Sequence, residues 1–260
     1  MTQERGDRVP RSGKGTRVPP PVTGAPEPPQ EALDVFGQSI TLARRYADLL
    51  ATTGISHGLI GPREAPRLWE RHLVNCALLE SLIDHGSTVV DIGSGAGLPG
   101  IVLAVARPDL QLHLVEPLLR RTTWLESTIA ELGLTNVTVR RGRAEEMNLR
   151  APVVTARAVA SLDKLVVWSF PLLSPGGRLL ALKGAAAQTE LDQVQERLGS
   201  DGVAPGVVHL LGADRVSEPI RVVELVRPPE WGPGAGAGGT KRSTRTGSRG
   251  AEGRRPTRRS

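Results

Sequence analysis

The sequence predicts an α/β protein with a doubly wound, mostly parallel seven-stranded sheet and an N-terminal helical extension. Seven short runs are rich in β-branched residues or alternate between apolar and polar residues, as strands do. Segments of helical character separate the first five runs, which is typical of parallel strands joined by helical crossovers. Only "GADRVSEP" lies between the last two runs, too short for such a crossover, so these two are predicted to pair antiparallel at the end of the sheet.

The predicted helical extension precedes the first strand. Apolar residues recur at helical spacing from Glu31 to about Leu50, and a second helix is predicted from Pro66 to Asp84, where proline suits the first turn. The strands are predicted at residues 87–92, 110–116, 136–141, 152–157, 177–183, 206–211 and 220–226. The later helices are predicted at 98–107, 117–132, 143–149, 161–173 and 186–198.

Composition divides the chain into three parts. Residues 1–30 contain seven prolines and little that can pack, which predicts a disordered extension. Residues 31–231 form the predicted folded domain. Residues 232–260 carry eight Lys or Arg against one Glu, which predicts a disordered basic tail able to attract any polyanion without reading its sequence.

Several classes of protein are disfavoured by what the sequence lacks. There is no run of 18 apolar residues and no apolar signal segment, so neither a membrane span nor secretion is expected. The single cysteine, Cys76, cannot form an internal disulfide, which favours a cytoplasmic location. The five histidines show no metal-ligand spacing, so no metal site is expected. Separately, the protein is expected to be a monomer.

The stretch "VVDIGSGAGLPG", residues 89–100, is the strongest indication of a ligand site. Gly93, Gly95 and Gly97 follow a predicted buried strand and can take positive φ, and without a Cβ their backbone can touch a ligand. The next helix presents unpaired N–H groups to the same space. In doubly wound sheets ligands bind beyond the carboxyl ends of the strands. A cofactor site is therefore predicted at this turn.

Two cofactors fit this turn. Residues 95–100 match the dinucleotide pattern G-x-G-x-x-G, which favours NAD. Counted from Asp91, the same stretch has the pattern acid-x-G-x-G-x-G, typical of S-adenosylmethionine. Glu116 ends the second predicted strand and can accept hydrogen bonds from both ribose hydroxyls of either cofactor. After the third strand, Glu145 and the backbone of Ala144 are placed to face an adenine ring.

Together these motifs resemble the RsmG (GidB) family, bacterial methyltransferases that act on N7 of a guanine in 16S ribosomal RNA. The resemblance extends over about residues 31–227. Its most specific parts are "DIGSGAGLPGIVLAVARPDLQLHLVE", "RAEE", "TARAVASL", "LLALKG" and, upstream, "RHLVNC". It implies a class I S-adenosylmethionine-dependent methyltransferase with a Rossmann-like fold.

The resemblance also implies roles for individual residues. Glu116 would bind the ribose. Further cofactor contacts implied by the family are Gly93, Leu98, Ala144, Glu145 and Arg157. The chain departs from the family at Asn75, where Asp is frequent, and at Pro152, near which an acid is frequent.

No catalytic acid or base is predicted. N7 of guanine carries a lone pair and no proton, so methyl transfer to it needs no general base, and positioning of the reactants can supply most of the catalysis. The tryptophans Trp69, Trp124 and Trp168 lie among apolar neighbours and are predicted to fill the core.

The partner implied by the resemblance is 16S rRNA within the small ribosomal subunit. The basic or polar residues predicted to contact RNA are Arg71, His72, Arg120, Arg121 and Lys183. Three alternatives remain open from the residues alone. They are a small-molecule methyltransferase of the same fold, an NAD-dependent oxidoreductase, and a non-catalytic RNA-binding protein.

Overall fold

One seven-stranded sheet organises the protein, and the computed structural model describes residues 24–231 of it. The predicted tail 232–260 and most of the predicted extension, residues 1–23, lie outside the described residues. The strands are β1 (Thr88–Ile92), β2 (Gln111–Glu116), β3 (Val137–Arg141), β4 (Ala151–Arg157), β5 (Leu173–Lys183), β6 (Val207–Leu211) and β7 (Ile220–Val226).

The strand order β3-β2-β1-β4-β5-β7-β6 confirms the predicted doubly wound sheet. The first five strands run parallel, while β7 is antiparallel to both β5 and β6. Strands β6 and β7 therefore form an antiparallel pair at the edge of the sheet, as the short connection between them predicts. Because β1 lies between β2 and β4, the chain reverses its direction of winding there, and the crevice beyond these strands is where ligands bind in such folds.

Helices cover both faces of the sheet. One face carries the N-terminal layer, residues 30–82, together with α4 (Gly100–Ala106) and α5 (Leu119–Leu132). The other face carries α6 (Leu162–Ser169) and α7 (Ala187–Ser200). Within residues 24–231 none of these helices has the length and apolar character needed to cross a bilayer. The helices are α1 (Gln30–Phe36), α2 (Ile40–Leu49), α3 (Asn75–Ala77), α4 (Gly100–Ala106), α5 (Leu119–Leu132), α6 (Leu162–Ser169) and α7 (Ala187–Ser200).

The N-terminal layer is less regular than the sequence predicts. The expected helix 31–50 is interrupted at Gly37, whose φ of +46° ends α1 before α2 begins. The expected helix 66–84 is a succession of turns of different pitch, a 3₁₀ turn at Pro62–Arg67, a π-helical stretch at Leu68–Val74, and then α3. Pro66 lies inside the first of these turns, where its missing N–H and its ring prevent a regular α-helix.

Two further boundaries differ from the expectations. The predicted helix 143–149 is a single 3₁₀ turn, Ala144–Glu146, because the Glu146 carboxylate accepts the Arg143 N–H at 3.3 Å and closes the turn. At the other end, residues 24–29 lie against the domain rather than apart from it. The Ala25 N–H donates to Asp48 at 2.9 Å and the Trp69 indole N–H donates to the Pro26 carbonyl at 2.7 Å. The folded part therefore includes residues 24–29, which the sequence prediction placed in the disordered extension.

Candidate functional site

The turn after β1 is shaped by glycines in the left-handed region. Gly93 has φ of +67°, and its N–H donates to the Val115 carbonyl at 2.8 Å. A Cβ at Gly93 would lie 2.8 Å from Cγ2 of Val159, so both the backbone angle and the space require glycine there. The turn therefore brings bare backbone to the crevice beyond β1.

Asp91, the acid of the glycine motif, holds this turn together. It is fully buried, and its carboxylate accepts the Gly100 N–H at 3.1 Å, in the first turn of α4, and the Thr155 hydroxyl at 3.3 Å. Burial raises the pKa of Asp91 from its usual value near 3.8 to about 7. Asp91 thus joins β1, β4 and α4, and it does not line the cavities described below.

The raised pKa of Asp91 predicts a pH dependence of stability. The native state binds more protons than the unfolded state between the usual pKa of 3.8 and about 7, so the free energy of unfolding falls as pH rises through this interval. Asp91→Asn removes the titration. Between pH 5 and pH 8 the wild type is expected to lose about 1 kcal/mol or more relative to Asp91→Asn in urea unfolding. Parallel pH profiles for the two proteins would contradict this expectation.

A cavity of about 450 Å³ lies beyond the carboxyl ends of β1 and β2. This volume falls in the range of roughly 300–1,000 Å³ that small-molecule sites occupy. Four of the predicted cofactor residues line this cavity, namely Gly93, Glu116, Ala144 and Glu145. Its apolar wall includes Ile92, Val115 and Trp168. Trp168 is half-buried, and it packs against the core while it lines this cavity. Trp69 and Trp124 are buried in the core as predicted.

A smaller cavity of about 220 Å³ adjoins the first and shares Gly93, Arg121 and Ala158 with it. Three further predicted cofactor residues, Gly95, Leu98 and Arg157, line this smaller cavity. The two cavities together form an elongated space over the glycine turn, which we call the cofactor cleft.

Gly97 is the predicted cofactor residue that lines neither part of the cofactor cleft. A Cβ at Gly97 would lie 2.5 Å from Cδ1 of Ile101 and 3.0 Å from the hydroxyl of Tyr46. That hydroxyl is buried and donates to the Ala96 carbonyl at 2.6 Å. Gly97 therefore allows α2 to pack closely against the turn, a contact between distant segments that the sequence does not reveal.

Glu116 presents a buried carboxylate to the cofactor cleft. It is 1% exposed, and it accepts the N–H groups of Gly95 and Leu118, each at 3.1 Å. Arg121 adds a longer contact at 3.4 Å, and the Nε of Arg121 is buried without a hydrogen-bond partner among the described residues. A carboxylate has about four lone-pair directions, so Glu116 can accept a further donor from a ligand.

Arg157, at the end of β4, is fixed by the N-terminal layer. Its guanidinium donates to the Cys76 sulfur at 3.0 Å, to the Arg71 carbonyl at 2.8 Å and to Nδ1 of His72 at 2.8 Å. The other ring nitrogen of His72 donates to Glu64 at 2.9 Å. Burial and the Arg157 charge lower the pKa of His72 to about 4, so this histidine is neutral near pH 7.

The five predicted RNA contacts have different environments in the structure. His72 is engaged by Arg157 and Glu64, and Lys183 donates to the Ala160 carbonyl at 2.8 Å and to Glu190 at 2.7 Å. Arg121 faces the cofactor cleft. Arg71 and Arg120 are exposed, and the Arg71 guanidinium lies 3.6 Å from the Glu64 carboxylate.

Ala158 and Trp168 are site residues that the sequence did not indicate. Ala158 has φ of +54°, an unusual value for a residue with a Cβ, and it lines both parts of the cofactor cleft. No pattern in the sequence marks either residue. Across residues 24–231 the structure contains no group of three or more His, Cys, Asp or Glu side chains placed to hold a metal ion.

Comparison with known proteins gives consistent matches. The family model described as GidB, rRNA small subunit methyltransferase G, matches residues 39–217. A protein named "Ribosomal RNA small subunit methyltransferase G" from Thermobifida fusca is 48% identical over 230 residues, covering 88% of this chain and 97% of that protein. One of the same name from Mycobacterium leprae is 53% identical over 194 residues, covering 73% and 79%. The crystal structure of a SAM-dependent methyltransferase from Aquifex aeolicus aligns with a TM-score of 0.49 at 17% identity, covering 66% of this chain and 98% of that chain.

Proposed function

The chain belongs to the GidB family of rRNA small subunit methyltransferases G, and from this premise we propose that it methylates N7 of a guanine in 16S rRNA, with S-adenosyl-L-methionine as methyl donor. The observation that carries the proposal is the cofactor cleft. Its bare glycine turn and the buried carboxylate of Glu116 lie at the switch point of the sheet, within the segment that the family model matches.

The residues of the cofactor cleft suit this methyl donor. Glu116 is placed to accept from the ribose hydroxyls, and the apolar wall with Trp168 suits the flat face of an adenine. Ala144 and Glu145 border the same cavity and would meet the ring edge. In the smaller cavity, Gly95, Leu98 and Arg157 would surround the amino-acid part. When bound, S-adenosylmethionine supplies an electrophilic methyl group on its sulfonium.

The chain's own contribution to the reaction is positioning. N7 of guanine attacks through an in-plane lone pair and loses no proton, so no side chain has to act as a base. Holding two reactants in line can lower a barrier by roughly 7–11 kcal/mol. Arg157, fixed by Cys76, Arg71 and His72, forms a rigid wall of the cleft.

The RNA partner is supported by charge and by the relatives. Arg71 and Arg120 are exposed, and residues 232–260 add eight Lys or Arg that would attract phosphates without sequence preference. The relatives carry the name of a ribosomal RNA small subunit enzyme. We propose that the protein acts as a monomer in the cytoplasm and that its substrate is 16S rRNA within the small ribosomal subunit.

The proposal is tested with labelled S-adenosylmethionine and 30S subunits that lack the modification. Label is expected in 16S rRNA, and mapping of the modified base is expected to show 7-methylguanine. Labelling of small acceptors but not of RNA would instead support a small-molecule methyltransferase. Binding of NADH but not of S-adenosylhomocysteine would contradict the cofactor assignment.

A further inference from the structure

A third cavity, of about 490 Å³, opens next to the cofactor cleft beyond the carboxyl ends of β4 and β5. It shares Arg157 and Ala158 with the smaller part of the cleft, and Ala158 also borders the larger part. The third cavity therefore adjoins the cofactor cleft at Arg157 and Ala158. We call this space the acceptor cavity.

The backbone at Ala158 creates this junction. The residue follows β4 directly and has φ of +54°, in the left-handed region that residues with a Cβ rarely adopt. The chain therefore turns sharply at the end of the strand, and Ala158 lies where the three cavities meet. Strained backbone of this kind concentrates at functional sites.

The charges of the acceptor cavity favour an anionic ligand. Lys183 and Arg221 are register partners on the antiparallel strands β5 and β7, and like charges directly opposite each other are destabilising. Lys183 is neutralised by Glu190 at 2.7 Å. In the described part of the chain, the half-buried Arg221 forms neither an ion pair nor a side-chain hydrogen bond, so it is free to bind a phosphate from the cavity wall.

Asn75 offers the cavity a polar group suited to a base. Asn75 borders the cavity, and its amide nitrogen makes one long contact, 3.4 Å, to the Arg71 carbonyl. Its amide oxygen can therefore accept from an N–H of a purine. The volume of about 490 Å³ is within the range of roughly 300–1,000 Å³ typical of small-molecule sites.

We propose that the acceptor cavity receives the target guanosine after it has turned out of the RNA, with Arg221 bound to its phosphate. This assignment rests on the proposed function. A base within a stacked helix cannot bring its reacting atom to an enclosed donor, and enzymes that modify bases extrude them into a pocket. Reacting atoms must approach to about 3–3.5 Å, so the methyl transfer would take place where the two cavities meet, at Arg157 and Ala158.

Gly184→Phe tests the acceptor cavity by filling it. Gly184 borders the cavity, its φ is not in the left-handed region, and a Cβ there meets no atom within 4 Å, so the variant is expected to fold. Its kcat/KM for 30S subunits is expected to fall by roughly tenfold or more, while the affinity for S-adenosylhomocysteine stays unchanged. Gly199→Phe is the matched control, because a Cβ at Gly199 also meets nothing within 4 Å and the residue lies on α7 away from the cavity.

Arg221→Gln tests the phosphate contact separately. Losing a charge-assisted hydrogen bond is expected to lower kcat/KM for 30S subunits by roughly tenfold. Arg150→Gln makes the same change of charge at an exposed position just before β4, at the end of the strand opposite the cavity, and is expected to leave kcat/KM unchanged. An equal loss in both variants would show a general effect of charge and overturn the role of Arg221.

The remaining outcomes separate this assignment from the proposed function. Wild-type kcat/KM in Gly184→Phe would overturn the acceptor cavity and leave the guanine-N7 activity standing. Loss of S-adenosylhomocysteine binding in the same variant would place the cofactor in this cavity and also overturn the assignment. A wild type that does not methylate N7 of guanine in 16S rRNA would overturn both.

Discussion

Glu116→Ala is expected to weaken the binding of S-adenosylhomocysteine by roughly 10- to 150-fold, since a hydrogen bond to a charged group is worth about 1.5–3 kcal/mol. The carboxylate is 1% exposed and is held by the N–H groups of Gly95 and Leu118, each at 3.1 Å. It is thus fixed in direction before any ligand binds, and a ribose hydroxyl would meet a preorganised acceptor. Isothermal titration calorimetry measures the change.

A loss of affinity alone would not identify the ribose as the partner, because Glu116 also organises the glycine turn. Without the carboxylate, two N–H groups lose their acceptor and the turn can shift. A double-mutant cycle separates the two effects, with the 2′-deoxy analogue of S-adenosylhomocysteine as the second change. Wild type is expected to discriminate against the analogue, and Glu116→Ala is expected to lose that discrimination.

One result of the double-mutant cycle would contradict the binding of the ribose by Glu116. If Glu116→Ala binds the parent compound more weakly and still discriminates against the 2′-deoxy analogue as strongly as wild type, Glu116 supports the turn and does not bind the hydroxyl. Glu126→Ala, an exposed change on α5, is the control for loss of a carboxylate and is expected to bind both compounds as wild type does.

The strands were predictable because their pattern is local. Apolar and β-branched runs at residues 87–92 and 110–116 correspond to β1 and β2 within one residue at each end. The positions of Gly93 and Glu116 at the crevice follow from that pattern alone, because both residues come directly after or at the end of a parallel strand. The general place of the cofactor cleft was therefore accessible from the sequence.

The N-terminal layer was harder to predict because tertiary contacts override its periodicity. Apolar residues recur at α-helical spacing in residues 66–84. The structure has instead a π-helical stretch at Leu68–Val74, which follows Pro66. This stretch contains Arg71 and His72, which both accept hydrogen bonds from Arg157. These contacts join residues more than 80 positions apart in the chain, as the His72–Arg157 pair shows. Periodicity within a window of ten to twenty residues carries no information about them.

The same limit applies to two of the predicted RNA contacts, His72 and Lys183, which have partners within the chain. His72 and Lys183 are polar residues in segments that combine apolar and polar residues. Surface segments have the same composition. In the structure both are enclosed by specific partners, Arg157 and Glu64 for His72, and Glu190 for Lys183. Residue type indicates that a hydrogen-bond partner is needed. It does not indicate whether the partner lies in the same chain or in the RNA.

Gly93→Val is expected to weaken S-adenosylhomocysteine binding by about tenfold to hundredfold. Gly93 lines both parts of the cofactor cleft, and a Cβ there would lie 2.8 and 2.9 Å from the two Cγ atoms of Val159. The branched side chain would have to displace Val159 or project into the space that the ligand occupies. Overpacking of this kind costs about 1–3 kcal/mol, and each 1.4 kcal/mol is tenfold in affinity.

Gly133→Val supplies the matched control for the backbone. Gly133 caps α5 with φ of +70°, close to the +67° of Gly93, and a Cβ there meets nothing within 4 Å. A residue with a Cβ at such an angle costs about 1–2 kcal/mol, so both variants are expected to lose this free energy of unfolding in urea, and Gly93→Val loses in addition what overpacking against Val159 costs. Only Gly93→Val is expected to lose affinity for the cofactor product. Equal affinities in the two variants would mean that the glycine serves the fold of the turn and that the cofactor does not approach it.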